Sequence, residues 1–345
     1  MDKFENYKDL GLTGLANIGN TCYLNSCMQL LSHTYELNDF LKNNKRELNN
    51  VTESTIFSEW NKLREMMWSE NCSIAPYGFV KAIQEVAKEK KIEIFEGYAQ
   101  NDVFEFLLFI IDCFHESLKR QVEMKINGYA KNETDILAKK CYEMMRKMYN
   151  KDYSEILNIF YGISVTQIKD YLDNKMLSVA CEPFSILSLS IPGKNECSIL
   201  DCFDLYTKGE LLVNENAWFN DEINEKQDVV KDLSFWKLPD ILILELKRYS
   251  NNNRKINTVV NSPIVNLDLS KYVSGYNKEE YIYDLYGTGN HMGNVFGGHY
   301  TANIKNANGK WYRFNDTLIN EIKENEVINA NTYCLFYRKK NKDYI

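Results

Sequence analysis

The sequence predicts an α+β fold, a helical first half followed by a β-rich second half. Three observations predict it. Up to about residue 158 the apolar residues recur at helical spacing. From about residue 160 they alternate or cluster in short runs with Pro, Gly or Asn at their ends. No internal repeat interrupts this order, and helices followed by strands read as α+β.

The elements follow in turn. "TCYLNSCMQLLSHT" places Leu24, Cys27, Met28 and Leu31 on one helical face, with Thr21 as its N-cap. "STIFSEWNKLREMMWS" repeats that pattern, and "QNDVFEFLLFIIDCFHESL" is apolar enough to be a buried core helix. "TDILAKKCYEMMRKMYN" and "YSEILNIFYG" complete the helical half. "FSILSLSIP" alternates and ends in Pro, as a strand does. "DILILELKRYS" is a second strand, with Ile241, Ile243 and Glu245 on one face and Leu242, Leu244 and Leu246 on the other. "YIYDLYGTG", "HYTANIKN", "KWYRFND" and "TYCLFYRK" read as four antiparallel strands, and "ANGK" at 307–310 as a hairpin turn. "KNNK" at 42–45 and "NNN" at 251–253 read as polar loops.

Composition excludes several classes. The chain has 345 residues, 44% hydrophobic and 26% charged, as an ordinary globular protein does. No apolar run approaches the ~18 residues of a membrane span, and "MDKFENYKDLGL" lacks the apolar centre of a signal peptide, so a cytoplasmic or nuclear protein with no membrane partner is expected. A net charge of −7 with no basic face argues against nucleic acid. The nine cysteines form no CxxC pair, so neither a disulfide framework nor a zinc site is expected. As buried small hydrophobes most of them need no further role.

Cys22 is the exception. It stands where an Asn-rich loop becomes a helix, and a helix N-terminus with a nearby imidazolium can lower a thiol pKa from about 8.5 to about 3.5–7.5. Of four histidines, His33 and His115 lie at helix ends, where structural roles are expected. His299 follows two glycines that would let a substrate backbone pass close by, and precedes a strand. A hairpin returns the end of "NGKWYRFND", Asn315 and Asp316, beside it, and an Asn or Asp oxygen can orient the imidazole of a Cys–His pair.

"GLANIGNTCYLNSCMQLL" resembles the Cys box, and "HMGNVFGGHYTANIKNANGKWYRFNDTLI" the His box, of the ubiquitin-specific proteases, which are papain-like deubiquitinating enzymes. "QNDVFEFLLFIIDCFHESL", "FSILSLSIP" and "LPDILILELKRYS" match three further family motifs in the family order. The resemblance implies a single catalytic domain shaped as a right hand, with a helical thumb at about 1–158, β fingers at about 160–235 and a β palm in the remainder. It implies Cys22 as nucleophile, His299 as general base, Asn315 as the residue orienting it, with Asp316 supporting or sharing that role, and Asn17 as side-chain donor to the oxyanion. Gln100, Asp102, Gly298 and Tyr300 would hold the extended tail of ubiquitin. Glu105 is expected to cap or pack, and His291 to be structural or substrate-adjacent, in a loop that Gly293, Gly297 and Gly298 leave free to move.

The chain departs from the family at the zinc-binding fingers, whose second CxxC pair would fall in "NAWFNDEINEKQ" at Asn220 and Ile223, with Gln227 behind them. No metal or other cofactor is therefore expected, and Cys181 alone could not make a site. A Lys- and Met-rich helical insertion at 119–155 has no assigned role. The expected partners are ubiquitin and ubiquitinated proteins. The alternatives are a ubiquitin-binding pseudoprotease, which would require damage to the catalytic set, and an isopeptidase for another ubiquitin-like modifier.

Overall fold

A computed structural model describes residues 4–44, 46–194, 196–250 and 252–340. The first part is helical: α1 (Cys22–Ser32), α2 (Tyr35–Asn43), α3 (Glu53–Ser69), α4 (Tyr77–Lys90), α5 (Val103–Leu118), α6 (Glu133–Asp152) and α7 (Glu155–Phe160), with α8 (Ile199–Thr207) later in the chain. α2, α4 and α8 go beyond the sequence expectation. α2 and α8 are only two and a half turns long, too short for a clear period, whereas α4 does carry a legible face in Phe79, Val80, Ile83, Val86 and Ala87. α2 also corrects the polar loop expected at 42–45: Lys42 and Asn43 are its last residues, and Lys45 lies outside the described residues. At 251–253, Asn252 and Asn253 form a turn and Asn251 lies outside the described residues. Among the described residues no helix is long and apolar enough to cross a membrane.

The strands are β1 (Gly162–Asp170), β2 (Met176–Phe184), β3 (Ile186–Ser190), β4 (Glu210–Leu212), β5 (Val229–Lys237), β6 (Ile241–Lys247), β7 (Ile282–Asn294), β8 (Gly297–Lys305), β9 (Trp311–Asn315), β10 (Leu318–Ile322) and β11 (Thr332–Lys339), besides several two- or three-residue pairs. One sheet is four-stranded and antiparallel, in the order β2-β1-β5-β4. The larger sheet runs β10-β9-β8-β7-β11-β6-β3, antiparallel except for β3 beside β6. β1, β2, β4, β5 and β10, and the parallel pairing of β3, go beyond the strands read from the sequence. β10 is polar at two of its five residues and exposes Leu318, so its alternation is weak.

The alternation of "ILILELK" decides where the cores sit. Ile241 and Ile243 pack into a large core with α1, α3, α4 and α5, while Leu242, Leu244 and Leu246 face a second core with α8. Each such side chain contributes about 1.5–3 kcal/mol of burial. α1 is buried along its whole length against the first face of this sheet. Gly287 on β7 permits that approach, since a Cβ there would come within 2.5 Å of Leu30. A third, smaller core joins α6 to β1 and β5 through Leu137, Ala138, Cys141, Ile163, Val165 and Trp236.

Candidate active site

Cys22 is the first residue of α1 and only 3% exposed. The loop before it turns through Gly19 and Asn20, both with positive φ. Thr21 occupies the N-cap position without capping through its side chain, contrary to expectation. Its hydroxyl oxygen instead accepts from the Ile18 N–H, and its own N–H donates to Asn17 Oδ1 at 3.0 Å. These bonds spend the threonine on the loop rather than on the helix.

The backbone N–H of Tyr300, one residue beyond His299, acts on the Cys22 thiol. Burial pushes the Cys22 thiol up, and the Asp316 carboxylate adds to the rise; the N–H groups of Tyr300, Tyr23 and Cys22 itself pull it back. The activation expected from the helix terminus is therefore outweighed by desolvation. In this state the sulfur is held as a thiol.

His299 stands on β8, and its Nε2 lies 2.6 Å from Asn315 Oδ1 at the end of β9. The β8–β9 register, with Ala302 opposite Phe314, puts His299 and Asn315 on the same face of the sheet. An amide oxygen accepts only, so Nε2 carries the proton and Nδ1 is left as the base.

Asp316 does not share the orienting role. It is not extended, as the sequence reading assumed, but has φ 50° in the turn after β9. Its Oδ2 accepts from Asn17 Nδ2 at 3.2 Å and its Oδ1 from Asn25 Nδ2 at 2.8 Å. Its backbone carbonyl accepts from the Leu15 N–H. Asn17 is thus gripped at both ends of its carboxamide, by the α1 loop at the oxygen and by Asp316 at the nitrogen. One N–H of that nitrogen remains to be given elsewhere.

A cleft of about 200 Å³ lies beside these groups, between Gln100–Asp102 and a wall of Tyr249, His291, residues 294–298 and Tyr300. Gln100 bridges it, accepting from the Gly298 N–H at 2.9 Å and donating to the Gly298 carbonyl at 3.0 Å. Asp102 caps α5 through the N–H groups of Phe104 and Glu105, and its second oxygen accepts from the Tyr333 hydroxyl at 2.9 Å. Glu105 neither caps nor packs; it is exposed, because Asp102 already satisfies the helix end. Tyr300 is buried on the ring of His291, at 4.4 Å between centroids, and contributes its backbone rather than its hydroxyl to the thiol.

His291 lies in β7, not in a loop. It pairs with Tyr300, Met292 with His299 and Gly293 with Gly298, so the glycine-rich stretch is a hairpin whose tip is Val295 and Phe296. Its Nδ1 meets the Tyr249 hydroxyl, and burial, then the Lys255 charge, lowers its pKa to about 4. Asn25, Tyr249 and Tyr333 were not singled out from sequence. Each acts through a partner 42 or more residues away, which no local pattern signals.

The positions of the family's zinc ligands do not fit a metal. Asn220 Nδ2 donates to Gln227 Oε1 at 2.7 Å, closing the small hairpin with an amide pair, and Ile223 is exposed. Among the described residues no three His, Cys, Asp or Glu side chains converge. Cys181, however, is not alone: Cys141 Sγ lies 3.3 Å from its sulfur.

Comparison with known proteins agrees with this geometry. A family model described as ubiquitin carboxyl-terminal hydrolase matches residues 13–337. A ubiquitin carboxyl-terminal hydrolase 2 of Gallus gallus is 35% identical, over 95% of this chain and 93% of that protein. Its Homo sapiens counterpart is 33% identical over 95% of this chain but 55% of its own length, so the chain spans about half of its mammalian relatives. Among solved structures, the SAGA Ubp8/Sgf11/Sus1/Sgf73 DUB module bound to ubiquitin aldehyde superposes with a TM-score of 0.72 at 26% identity, over 98% of this chain and 71% of that one. The same module bound to monoubiquitin reaches 0.74 at 24% identity, over 99% and 71%.

Proposed function

The chain belongs to the ubiquitin carboxyl-terminal hydrolase family, and from that premise we propose that it is a cysteine-type deubiquitinating enzyme, cleaving the peptide or isopeptide bond after the C-terminal Gly of ubiquitin. The observation that carries the reading is the 2.6 Å His299–Asn315 bond, made on the strand whose next residue, Tyr300, lowers the Cys22 thiol pKa through its backbone N–H. Relatives bound to ubiquitin aldehyde and monoubiquitin supply the substrate class.

In this mechanism the scissile carbonyl enters beside Cys22, and His299 Nδ1 takes the thiol proton as the sulfur attacks. The raised thiol pKa makes that transfer part of the attack itself. Negative charge then develops on the carbonyl oxygen, and the free N–H of Asn17 with the N–H groups at the start of α1 receive it. His299 returns the proton to the leaving amine. Water, deprotonated by the same imidazole, hydrolyses the thioester and frees Cys22. Gln100, Asp102, Gly298 and Tyr300 line the approach of the tail, an extended backbone taking over the one bond that Gln100 donates to Gly298 and the one it accepts from it.

The helices α1 to α7, ending at Phe160, form the thumb in this reading, the four-stranded sheet between Gly162 and Lys237 supports the fingers, and the larger sheet the palm. The inactive-binder alternative needs a broken site, and Asn17, Cys22, His299 and Asn315 are intact. Nine free thiols suit a reducing compartment, the cytoplasm or nucleus.

Ubiquitin carrying a C-terminal electrophile tests the assignment. A covalent adduct is expected with the wild-type chain and with Cys27→Ala, and none with Cys22→Ala. An adduct on Cys22→Ala would overturn it.

A further inference from the structure

Away from the cleft, two thiols meet where nothing in the hydrolytic reaction needs them. Cys141 is buried on α6, in the small core that joins that helix to the four-stranded sheet. Cys181 is half-exposed on β2, the edge strand of the sheet, opposite Val165. Their sulfurs are 3.3 Å apart and unbonded. We propose that Cys141 and Cys181 are an oxidation site, which a hydroperoxide converts to a disulfide fastening the α6 insertion to the edge of the sheet.

The asymmetry of the pair assigns the two roles. Cys181 is the one that peroxide can reach. The contact with Cys141 and the charge of Lys140 lower its thiol pKa against the rise from its own burial, while the same contact and burial raise that of Cys141. A reachable sulfur with thiolate character is the first to be oxidised, and a neighbouring thiol resolves it. In the first step the Cys181 sulfur attacks one peroxide oxygen. The S–O bond forms, the O–O bond breaks, and the thiol proton leaves in water. In the second the Cys141 sulfur attacks the sulfenic sulfur, the S–S bond forms, the S–O bond breaks, and a second water departs with the Cys141 proton. Two thiols and one hydrogen peroxide give one disulfide and two waters. The sulfurs need only close from 3.3 Å to the ~2.05 Å of a disulfide.

A second pair supplies the internal control. Cys197 and Cys202 are 3.7 Å apart but both fully buried. Reactivity set by exposure leaves them reduced. Cys22, whose thiol is buried and pushed up, should also react after Cys181.

The full chain is treated with hydrogen peroxide, alkylated, and digested without reduction for mass mapping. A peptide linking Cys141 to Cys181, two hydrogens lighter than its parts, is expected before oxidation at Cys22, and dithiothreitol should reverse it. The oxidised protein should melt higher by roughly 5 °C, since the link closes a loop across some 40 residues. Cys181→Ser, a mild change at a half-exposed site, should give neither link nor shift, while Cys22→Ala should give both. A link at Cys197–Cys202 first, oxidation of Cys22 with 141 and 181 still free, or an equal melting shift in Cys181→Ser would overturn the proposal.

Discussion

The carboxylate of Asp316 is one residue past Asn315, which bonds His299, yet it accepts from Asn17 and Asn25 instead. Its bond to Asn17 Nδ2 fixes the amide whose second N–H would meet the oxyanion. Loss of one such donor costs about 10²–10³ in kcat. Asn17→Ala should lose that much, Asp316→Ala should fall in the same direction, and the double variant should be no worse than Asn17→Ala alone. Additive losses would show that Asp316 acts elsewhere. Asn315→Ala should lower kcat with little change in KM, because it releases the imidazole rather than the substrate. A near-wild-type Asn315→Ala would move the triad off Asn315. That Asn315 faces His299 was legible from residue order in "RFND" once a hairpin was drawn. That Asp316 faces Asn17 and Asn25 was not, since these contacts span 299 and 291 residues and the turn that aims the carboxylate breaks the strand pattern.

At the scale of elements, the hairpin of β7 and β8 shows what glycine signals in a strand. Gly293, Gly297 and Gly298 read as freedom to move; in the fold they mark close approach. A Cβ on Gly298 would stand 2.4 Å from His291 Nε2 and 2.5 Å from the Met292 carbonyl, in a register that also fixes Met292 opposite His299. Relieving that clash displaces the strand carrying the histidine by about an ångström, a misplacement worth about 10²-fold in rate. Gly298→Ala should therefore lose about 10²-fold in kcat/KM on a ubiquitin-tail substrate while keeping its fold by circular dichroism. Activity within a few-fold of wild type would show that the hairpin yields. The helices α3, α5 and α6 were legible because each carries an apolar face, and α1 because its apolar residues keep the helical period although the whole helix is buried. The glycine-rich hairpin was not, because its pairing rests on backbone bonds and on side chains that are absent.

Burial favours the neutral form of three imidazoles, His33, His291 and His115, the first two most strongly. Burial lowers both His33 and His291 to about 4, with Lys255 adding to the effect on His291. In the unfolded chain both return to about 6.5. Between pH 6.5 and 4 the unfolded state therefore binds more protons, so stability is full above 6.5 and falls as pH drops towards 4. The loss is on the order of 2–3 kcal/mol for each histidine. Thermal melts should show a clear fall from pH 7.5 to 4.5, and His33→Gln should lose less over the same interval. Equal losses in both proteins would remove His33 from the account. β11 closes the large sheet. It is the last described strand in the chain, yet it lies inside the large sheet, between β7 and β6. A ribosome makes β11 more than 300 residues after Cys22, at about 5–20 residues per second. Until then the sheet has a gap at its centre, and His299 and Asn315 have no finished surface on which to face the thiol. A nascent chain thus holds Cys22 for those 300 residues without the surface that faces it, and completion of the sheet is the event that assembles the proposed site.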